Sequence, residues 1–520
     1  MNVLTARGPR WRPAEPAAGV DLLLASGGDE RIARDPTTGR NRYGTTAMPS
    51  PREIFLSSST ATTITPRAYR AAQTAWAALS AGAPGDRPGL EAWFDSIRAR
   101  LAALFGIAGC GVILTGSGTE AELTTLAIAT AVVEGPLSNI VIAPAETGSG
   151  VLRAAGGAHF LNSTAFGGRR PAGERLSGWA DADIEATSVD IRDPHGALRP
   201  AGDVDAEACE RAFAAIGAGR GVLLHRLETS KTGRSGLTPG AASRILARAP
   251  DRVVVAVDCC QLRCSREHIR RMLRLGFIVV ITGSKFFGGP PFSGALLVPP
   301  ALIERIGRWT PPAGLADYTS RQDWPADLRA GVRLPWANEA NLGLGLRWVA
   351  ALAEMEPYFA APADLRRAVL TLFERVVREK ARTASRLHEA SDDPHAAERT
   401  PKGILPFMMT HPDGEPFSLA ETAAVHARLR QPFAPGGAAD AAFPRIFHLG
   451  QPVAIGRKTA LRVCASAPLV NEIIERVRAG EPLEAAFVPC ARRLDALFAK
   501  WTALIGEAID QRRGAPSQHG

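Results

Sequence analysis

From about residue 90 the chain alternates short Val/Ile/Leu runs with stretches of helical spacing, and this alternation limits the fold more than any other feature. The runs at 111–114, 139–143, 188–191, 221–225, 252–258 and 277–282 are strand-sized. Between them, 120–133, 205–216, 241–248 and 266–275 carry helical spacing. Strands that read as continuous apolar runs, without apolar–polar alternation, are buried on both faces. The pattern predicts an α/β fold, a doubly wound and mainly parallel sheet with helices on each side. Residues 293–298 form one further strand, the candidate antiparallel member.

Helical spacing at 341–353 and 363–389 then leaves the sheet. Strands at 404–410, 445–449 and 460–465, with helices at 418–430, 470–478 and 483–504, make a smaller α+β unit. We therefore divide the chain into an irregular Pro/Gly/Arg-rich arm (1–50), a large domain (51–340) and a small C-terminal domain with its connecting helices (341–520). With 46% hydrophobic and 22% charged residues, the composition is that of an ordinary globular protein. No apolar run approaches the roughly 20 residues that span a bilayer, and no basic start precedes an apolar segment, so neither a membrane span nor a secretory signal is expected. The seven cysteines lack C-x-x-C spacing, which points to reduced thiols and a cytoplasmic protein rather than a disulfide framework or a metal site. The net charge of +9 is spread over scattered arginines without a like-charged block, which reads as a solvated basic surface and not as a nucleic-acid footprint.

Three turns carry the chemistry. The first, Thr115-Gly116-Ser117-Gly118-Thr119-Glu120-Ala121-Glu122, follows an apolar run and opens a helical stretch. N–H groups and hydroxyls at the positive end of a helix suit an anion such as a phosphate. A tight strand-to-helix connection would use the same glycines, and neither a Walker loop nor the complete G-x-G-x-x-G fingerprint is present. The second is Asp258, which closes Val253-Val254-Val255-Ala256-Val257. A carboxylate at the C-terminal end of a buried strand is in the usual ligand position of an open α/β sheet. It needs a cationic or protonated partner there; a helix cap or a metal ligand is the alternative. The third is Lys285, between Ile278-Val279-Val280-Ile281-Thr282-Gly283-Ser284 and Phe286-Phe287-Gly288-Gly289-Pro290-Pro291. Of the six lysines (Lys231, Lys285, Lys380, Lys402, Lys458 and Lys500) it is read as the one that follows a buried apolar strand. A lysine held away from water in a rigid loop favours the neutral amine that forms an imine.

In this order the three motifs resemble the fold-type-I pyridoxal-phosphate (PLP) enzymes, in particular the class V aminotransferase and cysteine desulfurase branch, over about residues 50–480. The 27-residue step from Asp258 to Lys285 is similar to that branch. The resemblance implies pyridoxal 5'-phosphate as cofactor, with Lys285 as the catalytic residue that holds it as a Schiff base. Gly118 and Thr119, with Ser117 adjacent, would bind its phosphate, and Thr282 and Ser284 would add contacts. Asp258 would pair with the pyridine nitrogen and Gln261 would reach the ring hydroxyl. Two looser matches follow. Ser230, in Leu223-Leu224-His225-Arg226-Leu227-Glu228-Thr229-Ser230-Lys231-Thr232-Gly233, falls where relatives place a residue near the ring; a turn serine is the alternative. Arg462, in Ala460-Leu461-Arg462-Val463-Cys464, resembles the arginine that grips the substrate α-carboxylate, a role that suits its planar fork; a structural salt bridge is the alternative.

The activity implied is that of a PLP-dependent transferase acting on a small-molecule amino acid through an external aldimine, first as an aminotransferase. A β/γ-elimination or carbon–sulfur lyase comes second, and a non-catalytic PLP-binding regulator third, since the first 50 residues are too short for a DNA-binding domain. Such folds build each site at a dimer interface, so a homodimer is expected, with residues near 318–321 or 336–341 reaching across. Two departures from the branch stand out. Pro144-Ala145-Glu146-Thr147-Gly148-Ser149-Gly150 lacks the aromatic that covers the ring, leaving Thr147 or Glu146 in its place. No cysteine lies between Lys285 and Arg462, and Cys464 stands where relatives have serine, which disfavours persulfide chemistry. The hydroxyl-rich 57–63 segment is read as either the mouth of the site or a helix start.

Overall fold

The computed structural model describes residues 19–81, 87–390, 400–434 and 443–514. Its strands are β1 (Glu53–Leu56), β2 (Gly111–Thr115), β3 (Leu137–Ile142), β4 (Ile184–Val189), β5 (Gly221–Leu227), β6 (Val253–Cys259), β7 (Ile278–Thr282), β8 (Gly294–Val298), β9 (Leu387–Glu389), β10 (Ile404–Met409), β11 (Ile446–Ile455) and β12 (Lys458–Cys464). The larger sheet has the order β2-β8-β7-β6-β5-β3-β4. Strands β7, β6, β5, β3 and β4 pair in parallel, and β8 is antiparallel to both β2 and β7. This is the mainly parallel, doubly wound sheet that the alternation predicts, with the antiparallel member as expected.

Two-fold alternation along each strand divides the core. Val253, Val255 and Val257 pack with Val204, Ala208, Ile245, Ile269 and Met272 of the helices Ala201–Gly217, Pro239–Arg248 and Arg266–Arg274. Val254 and Ala256 face the opposite side, against Ala121, Leu123 and Ile128 of the helix Gly118–Val132. Register then gathers the polar strand ends. Gly294 pairs with Thr115 on one side and Thr282 on the other, while Asp258 pairs with Val280 and Leu227. The ends of β2, β7, β6 and β5 therefore meet along one edge. Gly294 has no room for a side chain there, since a Cβ would lie 2.6 Å from Thr115 Oγ1.

The second sheet has the order β1-β11-β12-β10-β9, with β1 parallel to β11. Composition places a boundary near residue 50, and β1 begins just past it, but it joins the C-terminal sheet. The helical spacing read over 363–389 ends earlier, at the helix Ala363–Thr383; the chain reverses at Arg386 (φ 70°) and becomes β9. The arm also has structure. Its short helix Val20–Leu24 packs on the helix Leu342–Ala360. Arg347 of that long helix is fully buried and donates to the carbonyls of Phe292, Leu24, Ser26 and Gly27 at 2.5–3.2 Å, tying the arm to the sheet loops. Neither the docking of the arm nor its anchor shows in sequence, because carbonyl acceptors leave no residue-type signature.

Candidate active site

A cavity of about 540 Å³ opens where the polar strand ends converge. Its wall includes Ser117, Gly118, Thr119, Asp258, Thr282, Ser284 and Lys285, so the structure brings together seven of the ten site residues expected from sequence. The helix Gly118–Val132 starts at this wall. Ser117 caps it, its Oγ accepting from the Glu120 N–H at 3.2 Å. The N–H groups of its first turn thus lie beside the cavity, where the helix dipole favours an anion. A Cβ on Gly118 would lie 2.8 Å from the Sγ of buried Cys260, so glycine lets the helix start close against the end of β6.

Asp258 Oδ1 accepts from the Cys260 N–H at 2.8 Å, and no cation pairs with it among the described residues. Lys285 Nζ has no hydrogen-bond or ion-pair partner among them either. The Lys285 loop is rigid. Gly283 N–H donates to Ser293 O (2.7 Å), Gly288 N–H to Lys285 O (3.0 Å) and Gly289 N–H to Gly283 O (3.0 Å), with Phe286 and Phe287 buried beneath. Thr282 Oγ1 donates to the Cys260 carbonyl at 2.6 Å, fastening the lysine-bearing strand end to the aspartate-bearing one. Burial, then Asp258, pushes the Cys260 thiol well above its usual range.

Three expected residues are placed differently. Ser230 is a turn serine: its Oγ donates to Glu146 Oε2 at 2.5 Å and accepts from the N–H groups of Thr232 and Arg234, both at 3.1 Å. Gln261 is buried behind the wall, with Nε2 donating to Ser59 O at 3.0 Å and Oε1 without a partner. Arg462 is also behind the wall and fully buried. Its Nη2 donates to Gln451 O (2.6 Å) and Thr60 Oγ1 (3.1 Å), and its Nη1 to Lys231 O (3.4 Å). It has no acidic partner among the described residues, so it is not a structural salt bridge. Its three acceptor residues, Gln451, Thr60 and Lys231, do line the cavity, as does Ser59. Ser59 and Thr60 of the 57–63 segment thus belong to the wall, and an irregular register in β11 between Gly450 and Val453 accompanies Gln451 there.

Of the two candidates for the ring-covering position, Thr147 lines the cavity. Glu146 turns away to Arg192 (2.5 Å), Ser230 and Thr232. Tyr318 and Asn341, expected to reach across an interface, are spent inside the chain. Tyr318 is buried with its hydroxyl 2.7 Å from His159 Nδ1, and Asn341 caps the helix Leu342–Ala360 and donates to Gly27 O.

Sequence reasoning missed several wall residues. Arg31 and Tyr43 come from the arm. Arg31 is bound to Asp29 (Nη2–Oδ2 2.6 Å), donates to Ser117 Oγ (3.3 Å) and stacks over Phe292 and Phe160. His225 Nε2 lies 2.9 Å from Glu122 Oε1, and both line the wall. Lys231 is there too, four residues past β5. That is the same local pattern as Lys285, three past β7, so Lys285 is not the only lysine that follows a buried strand.

The sequence matches no protein-family model, and no curated protein matches it. Solved structures do. A C-DES mutant with glycine covalently linked to the PLP cofactor is similar at a TM-score of 0.51 and 12% identity, covering 86% of this chain and 97% of that one. Oryza sativa TDC with PLP and tryptamine is similar at 0.50 and 13%, covering 89% and 84%. A NifS-like protein is similar at 0.50 and 11%, covering 82% and 99%. At such identities the likeness is one of architecture: this chain has the fold of the fold-type-I PLP-dependent enzymes.

Proposed function

We propose that this chain is a pyridoxal-5'-phosphate-dependent enzyme acting on a small-molecule amino acid, in the first place as an aminotransferase. One observation carries the reading: Lys285 and Asp258, at the ends of adjacent strands, face one cavity without charge partners, beside a helix N-terminus. The residues fit the cofactor. An unpaired amine, a carboxylate without a cation and a helix N-terminus beside the cavity match its aldehyde, its pyridine nitrogen and its phosphate. When bound, the cofactor supplies an electrophilic carbon for amines and an electron sink for charge developing at the substrate α-carbon.

Lys285 Nζ would hold the cofactor and, as a free amine, would take and return the substrate α-proton, a role worth about 10²–10⁴-fold. Asp258 would accept a hydrogen bond from a protonated ring nitrogen and hold that proton in place. Ser117, Gly118 and Thr119 would hold the cofactor phosphate at the helix N-terminus. Ser284 adds its hydroxyl, while Thr282, whose proton is given to Cys260 O, positions the turn. The substrate α-carboxylate is assigned to the wall of Thr60 and Gln451 backed by the Arg462 guanidinium. Gln261 and Ser230 shape that wall and the adjoining turn.

Elimination by a lyase is the second reading, since it shares the proton transfer at Lys285. A thiol-dependent desulfuration has less support. Cys464 is fully buried with Sγ 3.1 Å from Ser59 Oγ, and Cys260 is buried under the Gly118 turn. We also propose a cytoplasmic homodimer. The cysteines are all free, and among the described residues no helix is long and apolar enough to cross a membrane; sedimentation velocity tests the dimer.

The enzyme reading is tested by incubating the purified protein with pyridoxal 5'-phosphate. A visible absorption band should appear, and borohydride followed by peptide mass mapping should locate the cofactor on Lys285. Keto-acid release from a panel of amino acids identifies transfer; ammonia or sulfide release identifies elimination. A protein that stays colourless overturns the proposal.

A further inference from the structure

The cavity wall carries charge of mainly one sign. Arg31, Arg42, Arg153, Arg226, Lys231 and Lys285 line it against Glu122 and Asp258. Arg31 is neutralised by Asp29, and Glu122 is taken by His225 and Asn139. Lys231, like Lys285 and the buried Arg226, has no side-chain hydrogen-bond or ion-pair partner among the described residues, and it is the one of the three that stands directly against Arg462. Its backbone is nonetheless fixed: its N–H donates to Glu146 O at 3.0 Å, its carbonyl accepts from Arg462 Nη1 at 3.4 Å, and both sequence neighbours, Ser230 and Thr232, are tied to Glu146. A rigid turn thus presents an ammonium at the end of the cavity backed by Arg462, itself without an acid. Burial first, then Arg462 and Lys285, push Lys231 down to about 7, against the opposing pull of Glu146 and Asp258. Two uncompensated cations side by side are costly to bury, and an α-carboxylate balances only one.

We propose that Lys231 binds a second acidic group, a carboxylate or phosphate ester on the side chain of the amino-acid substrate, so that the site selects amino acids with an anionic side chain. This rests on the PLP-dependent reading of the same cavity. Arg462, behind Thr60 and Gln451, serves the α-carboxylate common to all amino acids; Lys231 supplies the discrimination.

Protein loaded with pyridoxal 5'-phosphate, and shown by borohydride fixation to carry it on Lys285, is titrated in a calorimeter with aspartate, glutamate, phosphoserine and alanine. At least one acidic amino acid should bind about 10- to 100-fold more tightly than alanine, the worth of a charge-assisted hydrogen bond. Preference for phosphoserine over aspartate and glutamate identifies the phosphate ester, and the reverse identifies the carboxylate. Lys231→Gln should bring that ratio close to one, and Lys231→Arg should restore part of it. Equal affinity of the wild type for alanine and all three acidic amino acids overturns the proposal. So does an equal loss for alanine and the acidic amino acids in Lys231→Gln, which would make Lys231 a contact of the α-carboxylate instead. Failure of the cofactor to fix on Lys285 removes the enzyme reading as well, and is seen before any amino acid is added.

Discussion

Lys500 and Lys285 are both drawn out of bulk water, one on the inner face of the last helix, Leu483–Gly514, and one at the edge of the larger sheet, and their surroundings differ in kind. Lys500 is fully buried and donates to three carbonyls, of Leu429 (3.1 Å), Gln431 (2.5 Å) and Arg445 (2.9 Å). Its ammonium joins a helix end, the residue two beyond it and the approach to β11. Lys285 has no acceptor at all among the described residues, although its backbone is held as firmly. Arg347 and Arg462 repeat the contrast. The first has four carbonyls about it, and the second is left with an unpartnered Nε behind a cavity wall. Buried polar groups with complete partners stabilise a fold, whereas those lacking partners cost stability and mark where a ligand's groups belong.

The contrast can be broken, most severely at Lys285. Lys285→Ala should lower turnover by about 10²–10⁴-fold and abolish borohydride fixation of the cofactor, with the thermal midpoint almost unchanged. A variant that lost its fold instead would place Lys285 with Lys500. Lys500→Met should do the opposite. Removing three donors and leaving three carbonyls unpaired should cost about 3 kcal/mol in urea unfolding, with the cofactor dissociation constant unaltered. Ser230→Ala comes next, at about 1–2 kcal/mol of stability, because Glu146 loses a donor. A large loss of cofactor affinity at unchanged stability would return Ser230 to the ring.

An effect of another kind, dependent on pH, concerns Glu120, whose two carboxylate oxygens are buried without a side-chain partner. Burial first, then Asp29, raise it to about 8, against the pull of Arg31 and Arg347. Its folded-state value is above the ordinary 4.5, so the folded protein holds this proton more tightly than the unfolded chain. The associated stability is complete below about pH 4.5 and is lost as the pH rises toward 8. Glu120→Gln should match the wild type near pH 5 and become the more stable protein toward pH 8, as read from denaturation midpoints across that range. Parallel pH profiles for the two proteins would show that Glu120 is ionised in the fold.

The legible parts of the site were local. Asp258 is the last residue but one of β6, and Lys285 and the start of the Ser117–Thr119 turn follow β7 and β2 within three residues, so a strand's apolar run and its polar end are written close together. Ser230 had a correct neighbourhood and an unforeseen bond, since Glu146, which takes its hydroxyl, lies 84 positions away. Lys231 carried the same local signal as Lys285 and was passed over because its strand, β5, ends four residues earlier behind a polar turn. Nothing local could reveal Arg31 or Tyr43, because the arm is held at the cavity by remote partners: Arg347 and Asn341 more than 300 residues away, and Ser117, Phe160 and Phe292 around Arg31.

By itself, then, the sequence determined the sheet, its parallel sense, and which strand ends carry an acid and an amine, since burial on two faces leaves a continuous apolar run and the functional group must follow it. Tertiary structure alone decided which polar groups are satisfied and which are left facing the cavity. Hydrogen-bond partners come from remote segments, many of them backbone carbonyls, and so leave no trace in residue type or spacing.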